Sequence, residues 1–154
     1  MMDTLHTPML NDVLDFHVKF AQLNPGHPVH LSPRKLEERA KFMLEELEEF
    51  VKGCEEQDLS QQADALVDLV YVALGTAIQM GLTYAWPTLW ADVQRANMDK
   101  VRGVGKRGNL VDVIKPNGWV GPQTSIILES FGYDVTDDRT GVNLVDDPEY
   151  INAR

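Results

Sequence analysis

The sequence predicts an all-α protein, a four-helix core followed by a short C-terminal extension that is irregular or folded as a β-hairpin. Three observations lead there. Residues 63–80 are apolar on nearly every side for about five helical turns. Residues 36–52 place Leu36, Ala40, Met43, Leu47 and Val51 at helical spacing. Beyond residue 102 that period is lost, and Gly, Pro and Asn punctuate the chain.

Taken in order, residues 10–23 carry Leu10, Val13, Leu14, Val18 and Ala21 on one side and predict a first helix beginning near Asn11 or Asp12. Pro25, Gly26, Pro28 and Pro33 exclude regular helix from 24–33. His27 and His30 lie there, and no third ligand is evident that would make them a metal site. Ser32 before Pro33 reads as an N-cap with a first-turn proline, so the second helix starts cleanly. Gly53 and the polar loop 55–60 fold the third helix, 63–80, back as an antiparallel partner. Being apolar all round, that helix is expected to be buried.

Gly81 ends it, and Thr83 is placed to cap a fourth helix over 84–101 that carries Trp86 and Trp90. Those two read as core or subunit-interface residues rather than a base-stacking platform. Residues 103–108, GVGKRG, fit G-x-G-x-x-G, but a helix precedes and Pro116 soon follows, so the dinucleotide fingerprint lacks its strand and helix. What remains is a basic loop over 100–107. Residues 110–114 suit a short strand and 115–119 a turn. A short helix runs from Pro122 to Phe131, and Gly132 stops it.

With 154 residues and 17.3 kDa, one domain over 1–132 is expected, followed by an acidic tail over 133–154. Fourteen basic against 24 acidic residues leave a net charge of −10, which disfavours binding to nucleic acid or an anionic membrane. A single cysteine, Cys54, excludes an internal disulfide framework and suits the cytoplasm. The first residues lack the basic and apolar regions of a signal peptide. The acids within 63–80 argue against a membrane span.

The acids are where chemistry is expected. Asp64 and Asp68 are one turn apart on the otherwise apolar third helix. Glu45, Glu46 and Glu49 share an arc of the second helix. In an antiparallel hairpin these five carboxylates face one another, and their mutual repulsion calls for a cation. An all-oxygen set suits Mg²⁺, with Mn²⁺ as a substitute, rather than zinc. The plainer alternative is a solvated acidic face on a helical adapter that binds a protein partner and has no catalytic role.

Glu45-Glu46-Leu47-Glu48-Glu49, then Asp68 followed by Leu-Val-Tyr-Val, then Asn97-Met98-Asp99-Lys100 and Lys115-Pro116-Asn117-Gly118-Trp119, resemble the all-α nucleoside triphosphate pyrophosphohydrolases. This is the MazG-like group that includes phosphoribosyl-ATP pyrophosphohydrolase, with the last segment similar to bacterial and phage-type members. One position departs from the family pattern. Three residues before Asp68 stands Ala65 instead of Glu, and Asp64 is the acid nearest to hand.

The resemblance implies metal-dependent cleavage of a nucleoside triphosphate, with a deoxynucleotide favoured, to the monophosphate and pyrophosphate. Glu45, Glu46, Glu49, Asp64 and Asp68 become the metal ligands, and Glu46 or Glu45 the base that activates water. Lys100, Arg102 and Lys115, with Asn97, are expected on the phosphates, and Tyr71 on the substrate. Phe16 and His17 are candidates against the base, with core packing and a surface imidazole as their alternatives. The greasy third helix and the two tryptophans further predict a homo-oligomer, a dimer or tetramer.

Overall fold

A computed structural model describes residues 8–104 and 112–134. Among them are five helices and one two-stranded antiparallel hairpin: α1 (Pro8–Lys19), α2 (Pro33–Glu55), α3 (Leu59–Gln79), α4 (Trp86–Met98), β1 (Val101–Gly103), β2 (Asp112–Ile114) and α5 (Thr124–Ser130). The chain is thus all-α with a short hairpin after the helical core.

Ser32 caps α2, its hydroxyl accepting from the Lys35 N–H at 3.2 Å, with Pro33 in the first turn. Asp58 caps α3 in the same way through the Gln61 N–H at 3.1 Å. Because that cap lies earlier than the expected start of the helix, the α2–α3 connection shrinks to residues 56–58. Close approach at this end depends on Gly53. A Cβ there would sit 3.0 Å from the Gln62 backbone nitrogen, and the Gln62 amide instead donates to the Gly53 carbonyl at 3.0 Å.

Farther along, Arg39 ties α2 to α3 by donating to Thr76 Oγ1 at 3.0 Å and to the Val72 carbonyl at 2.9 Å. Its burial there disfavours the charged guanidinium and lowers its pKa, against a smaller opposing pull from Glu38. The core forms where α1 crosses the C-terminal half of α3. Leu10, Val13, Leu74 and Ile78 are buried together, with Leu14 and Trp86 packed on them. Gly81 closes the layer at φ +69°, and a Cβ at this position would strike the His27 carbonyl, so only glycine fits.

Three expectations need correction. In this chain α3 is not buried all round: Leu66, Val67, Val70 and Tyr71 are 37–65 % exposed, and burial becomes continuous only around Leu74–Gln79. It packs mainly against α2, and between its N-terminal half and α1 an open cavity remains. Thr83 does not cap α4. The helix begins at Trp86 without a side-chain cap, and the Thr83 hydroxyl turns to Asn24 Oδ1 at 3.4 Å. The same helix ends at Met98, not 101, because Val101–Gly103 is drawn into a ladder with Asp112–Ile114.

Trp90 is 47 % exposed, whereas Trp86 packs on the core. Cys54 is an exposed free thiol. Among the described residues, no helix is long and apolar enough to cross a membrane. Lys106, Arg107, Leu110 and Val111 lie outside the described residues, as does the tail from 135 onward. Tyr133, at the expected start of that tail, is bound to the 24–33 segment, its hydroxyl 2.7 Å from His30 Nε2.

Candidate active site

On α2, Glu46 is half-buried while Glu45 and Glu49 flank it, exposed, and the short 56–58 turn brings Asp64 and Asp68 near enough for all four charges to act on it. Glu46 is the centre of the group. It is half-buried, and its Oε2 is sealed from solvent with no hydrogen-bond partner. Burial pushes its carboxyl pKa up first, and the charges of Glu49, Asp68, Glu45 and Asp64 push it further.

Among the described residues, the charged groups acting on Glu46 are all carboxylates. An acid crowded by four others, with one oxygen denied both water and a donor, lacks a positive partner. Oxygen donors of this kind fit a hard divalent cation such as Mg²⁺ or Mn²⁺. Among the described residues, no three acids are already drawn in as a finished metal cage. Asp64 and Asp68 are solvent-exposed and Glu45 makes only a loose 3.8 Å pair with Lys41, so these side chains are free to rotate inward. Ala65, where the related pattern has Glu, is 2 % exposed. The acidic face of α3 therefore passes through Asp64.

Between α1 and α3 lies an apolar cavity of about 430 Å³ walled by Met9, Val13, Leu66, Val70, Tyr71 and Leu74. Its size is that of small-ligand sites. Phe16 meets Tyr71 edge-on, ring centroids 5.8 Å apart, and is 42 % exposed. His17 takes the opposite course. It is 4 % exposed, with Nδ1 2.8 Å from the Val13 carbonyl and Nε2 3.4 Å from Gln79 Nε2, and it lies where a Cβ on Gly75 would touch it. Of the two base candidates, Phe16 adjoins the cavity and His17 packs as core.

The basic residues gather separately. The Lys100 ammonium donates to Asn97 Oδ1 at 2.7 Å and lies 5.8 Å from the Trp119 ring, while Lys115 Nζ is 4.4 Å from the same ring. Arg102 stands on β1 opposite Val113 and is exposed. The strand pair and α4, whose main partner is α5, hold this group, so in the single chain it does not join the carboxylates.

Sequence reasoning missed the joint between α4 and the segment that leads into α5. Asp92 accepts from the Gln123 backbone N–H, a bond that lowers its pKa with help from Arg95. Arg95 also donates to the Gly121 carbonyl at 3.1 Å. Only the i, i+3 spacing of Asp92 and Arg95 was visible beforehand, and it does not disclose a partner 31 residues away.

The profile of the family described as phosphoribosyl-ATP pyrophosphohydrolase matches residues 13–97. That span contains all five carboxylates, Phe16, His17, Tyr71 and Asn97, and stops short of Lys100, Arg102 and Lys115. No curated protein matches the chain. A match over more than half of the sequence, on a helical core that brings the motif acids together, means that the chain belongs to the phosphoribosyl-ATP pyrophosphohydrolase family and is a pyrophosphohydrolase by that membership.

Proposed function

We propose that the protein hydrolyses a nucleoside triphosphate, with a deoxynucleotide favoured, to the monophosphate and pyrophosphate in a reaction dependent on Mg²⁺ or Mn²⁺. The observation that carries this reading is Glu46, an acid with a sealed, unpartnered oxygen ringed by Glu45, Glu49, Asp64 and Asp68. Glu45, Glu46, Glu49, Asp64 and Asp68 are the residues that would hold the cation. When bound, it supplies Lewis-acid polarisation of phosphate oxygens and acidifies water.

The protein's own part begins with a proton. Glu46, its pKa raised by burial and by its neighbours, accepts the proton of the attacking water, and Glu45 is the second acid within reach of that task. Tyr71 and Phe16, edge-to-face beside the α1–α3 cavity, offer an apolar wall to base and sugar. Lys100, Arg102 and Lys115 neutralise charge on the departing pyrophosphate, and Asn97 orients Lys100. Asp64 takes the place of the Glu that the family carries one position later.

The exposed face of α3 bears on assembly. Leu66, Val67 and Val70 form an apolar strip that a lone chain leaves in water. A homo-oligomer would close the open side of the cavity that Leu66 and Val70 line and bring a neighbour's Lys100, Arg102 and Lys115 toward the acids. Light scattering at micromolar concentration should give a dimer or tetramer, and a clean monomer would reject this assembly.

The test of function is pyrophosphate release across ribo- and deoxynucleoside triphosphates, with Mg²⁺, with Mn²⁺ and with chelator. Release that requires metal, is strongest with one or more deoxynucleotides and is lost in Glu46→Gln is the expected result. No release from any nucleotide, or equal release in chelator, would overturn the proposal.

A further inference from the structure

The hairpin register pairs Val101 with Ile114, Arg102 with Val113 and Gly103 with Asp112. One step outside that ladder, Lys100 and Lys115 stand opposite each other. Like charges set directly across a strand pair repel, so this placement works against the hairpin unless something offsets it. Among the described residues neither ammonium is ion-paired with a carboxylate, although the chain carries 24 acids.

Neutral groups hold them instead. Trp119, brought back by the turn in which its N–H donates to the Pro116 carbonyl at 3.1 Å, offers its ring to both, with Lys115 Nζ at 4.4 Å and Lys100 Nζ at 5.8 Å from the centroid. The indole is itself fixed, Nε1 donating to the Ala96 carbonyl at 2.7 Å. Asn97 Oδ1 takes Lys100 at 2.7 Å. A ring quadrupole orients a cation without cancelling its charge, as a carboxylate would. Two uncancelled ammoniums drawn to one ring suit a ligand with several negative charges on adjacent groups, which is a polyphosphate chain.

We infer that Trp119 is a positioning residue, holding Lys100 and Lys115 together as a two-lysine clamp for the substrate's phosphate chain. The inference rests on the pyrophosphohydrolase reading for its substrate, but the clamp itself is open to test without turnover. In steady-state kinetics with the best nucleoside triphosphate, Trp119→Leu should raise KM about tenfold with little change in kcat, the scale of two weakened cation–π contacts. Trp119→Phe, which keeps an aromatic face and loses the bond to Ala96, should recover most of that loss. A structural role alone predicts the reverse, with Phe no better than Leu, and that result would overturn the inference.

Calorimetric titration with inorganic pyrophosphate in chelator separates the clamp from the reaction. Wild type should bind, and Trp119→Leu and Lys115→Met should each bind about tenfold more weakly. If Trp119→Leu does not fold, Trp119→Phe and Lys115→Met carry the test, with Lys115→Met weaker than Trp119→Phe. If the wild type turns over no nucleotide, the functional reading falls while this titration still judges the clamp. Equal pyrophosphate binding by wild type and Lys115→Met would reject it.

Discussion

Two regions of this protein gather like charges, and they do so by opposite means. On α2 and α3, five acids are forced together by helices that are rigid for other reasons. Capping by Ser32 and Asp58, close packing at Gly53 and the Arg39 tie set the helix positions, and the carboxylates come along. At the hairpin, two lysines are brought together by a register of three residue pairs and one indole. The first cluster leaves a sealed oxygen and a raised pKa. The second leaves its charges oriented but solvated. Crowding on a stiff frame leaves the repulsion in place, whereas a light frame must soften the repulsion itself.

The largest effect expected from breaking the acid side is on turnover. Asp68→Asn or Glu49→Gln keeps the side-chain shape and removes a charge. Activity should drop about a hundredfold or more, the scale for losing a group central to the chemistry, while metal-free thermal stability stays equal or rises. Near-normal pyrophosphate release by Asp68→Asn would remove the cluster from the mechanism.

Next comes the departure at position 65. Asp64→Ala should behave like Asp68→Ala, with weaker Mn²⁺ dependence and little turnover. As a plain surface residue it would cost a few tenths of a kcal/mol and leave the rate alone. Ala65→Glu alone should not improve activity, since Asp64 already supplies the acid and a further carboxylate only adds repulsion. It also places a carboxylate at a position 2 % exposed, so its melting temperature should fall.

The smallest effect is on stability against pH. The pKa of Glu46 is higher folded than unfolded, so the native state holds that proton more tightly. The favourable contribution is fully present below the unfolded value, about 4.3, and is lost as pH rises through the folded value. Glu46→Gln should therefore stabilise the metal-free protein at neutral pH, with the gain vanishing below about pH 4. Denaturant melts at both pH values check this, and a gain that is larger in acid would contradict it.

These regions also differ in how far the sequence disclosed them. The acids were legible because a helical period fixes which side chains share a face, and a short polar turn leaves an antiparallel return as the simple option. The strand near 110–114 and the turn at 115–119 were visible too, as was the Ser32 cap. The pairing of Lys100 with Lys115 was not, since it depends on a register 15 residues apart and on Trp119 reaching Ala96. Burial of α3 was overread for a related reason. An apolar run shows that a helix has a face to bury, but not how much of it the rest of the chain reaches, and here Leu66, Val67 and Val70 are left open. Phe16 and His17 are neighbours with the same apparent prospects. Only the close approach at Gly75 sends the imidazole inward and leaves the phenyl ring beside the cavity.

The claim on which the rest depends is that the acids around Glu46 form one cation site. Calorimetric titration of Mn²⁺ into metal-free wild type and metal-free Asp68→Asn tests it most directly, with no reference to any nucleotide. The account predicts saturable binding to wild type that is lost or strongly weakened in Asp68→Asn while the variant remains folded. Identical isotherms for the two proteins would contradict it.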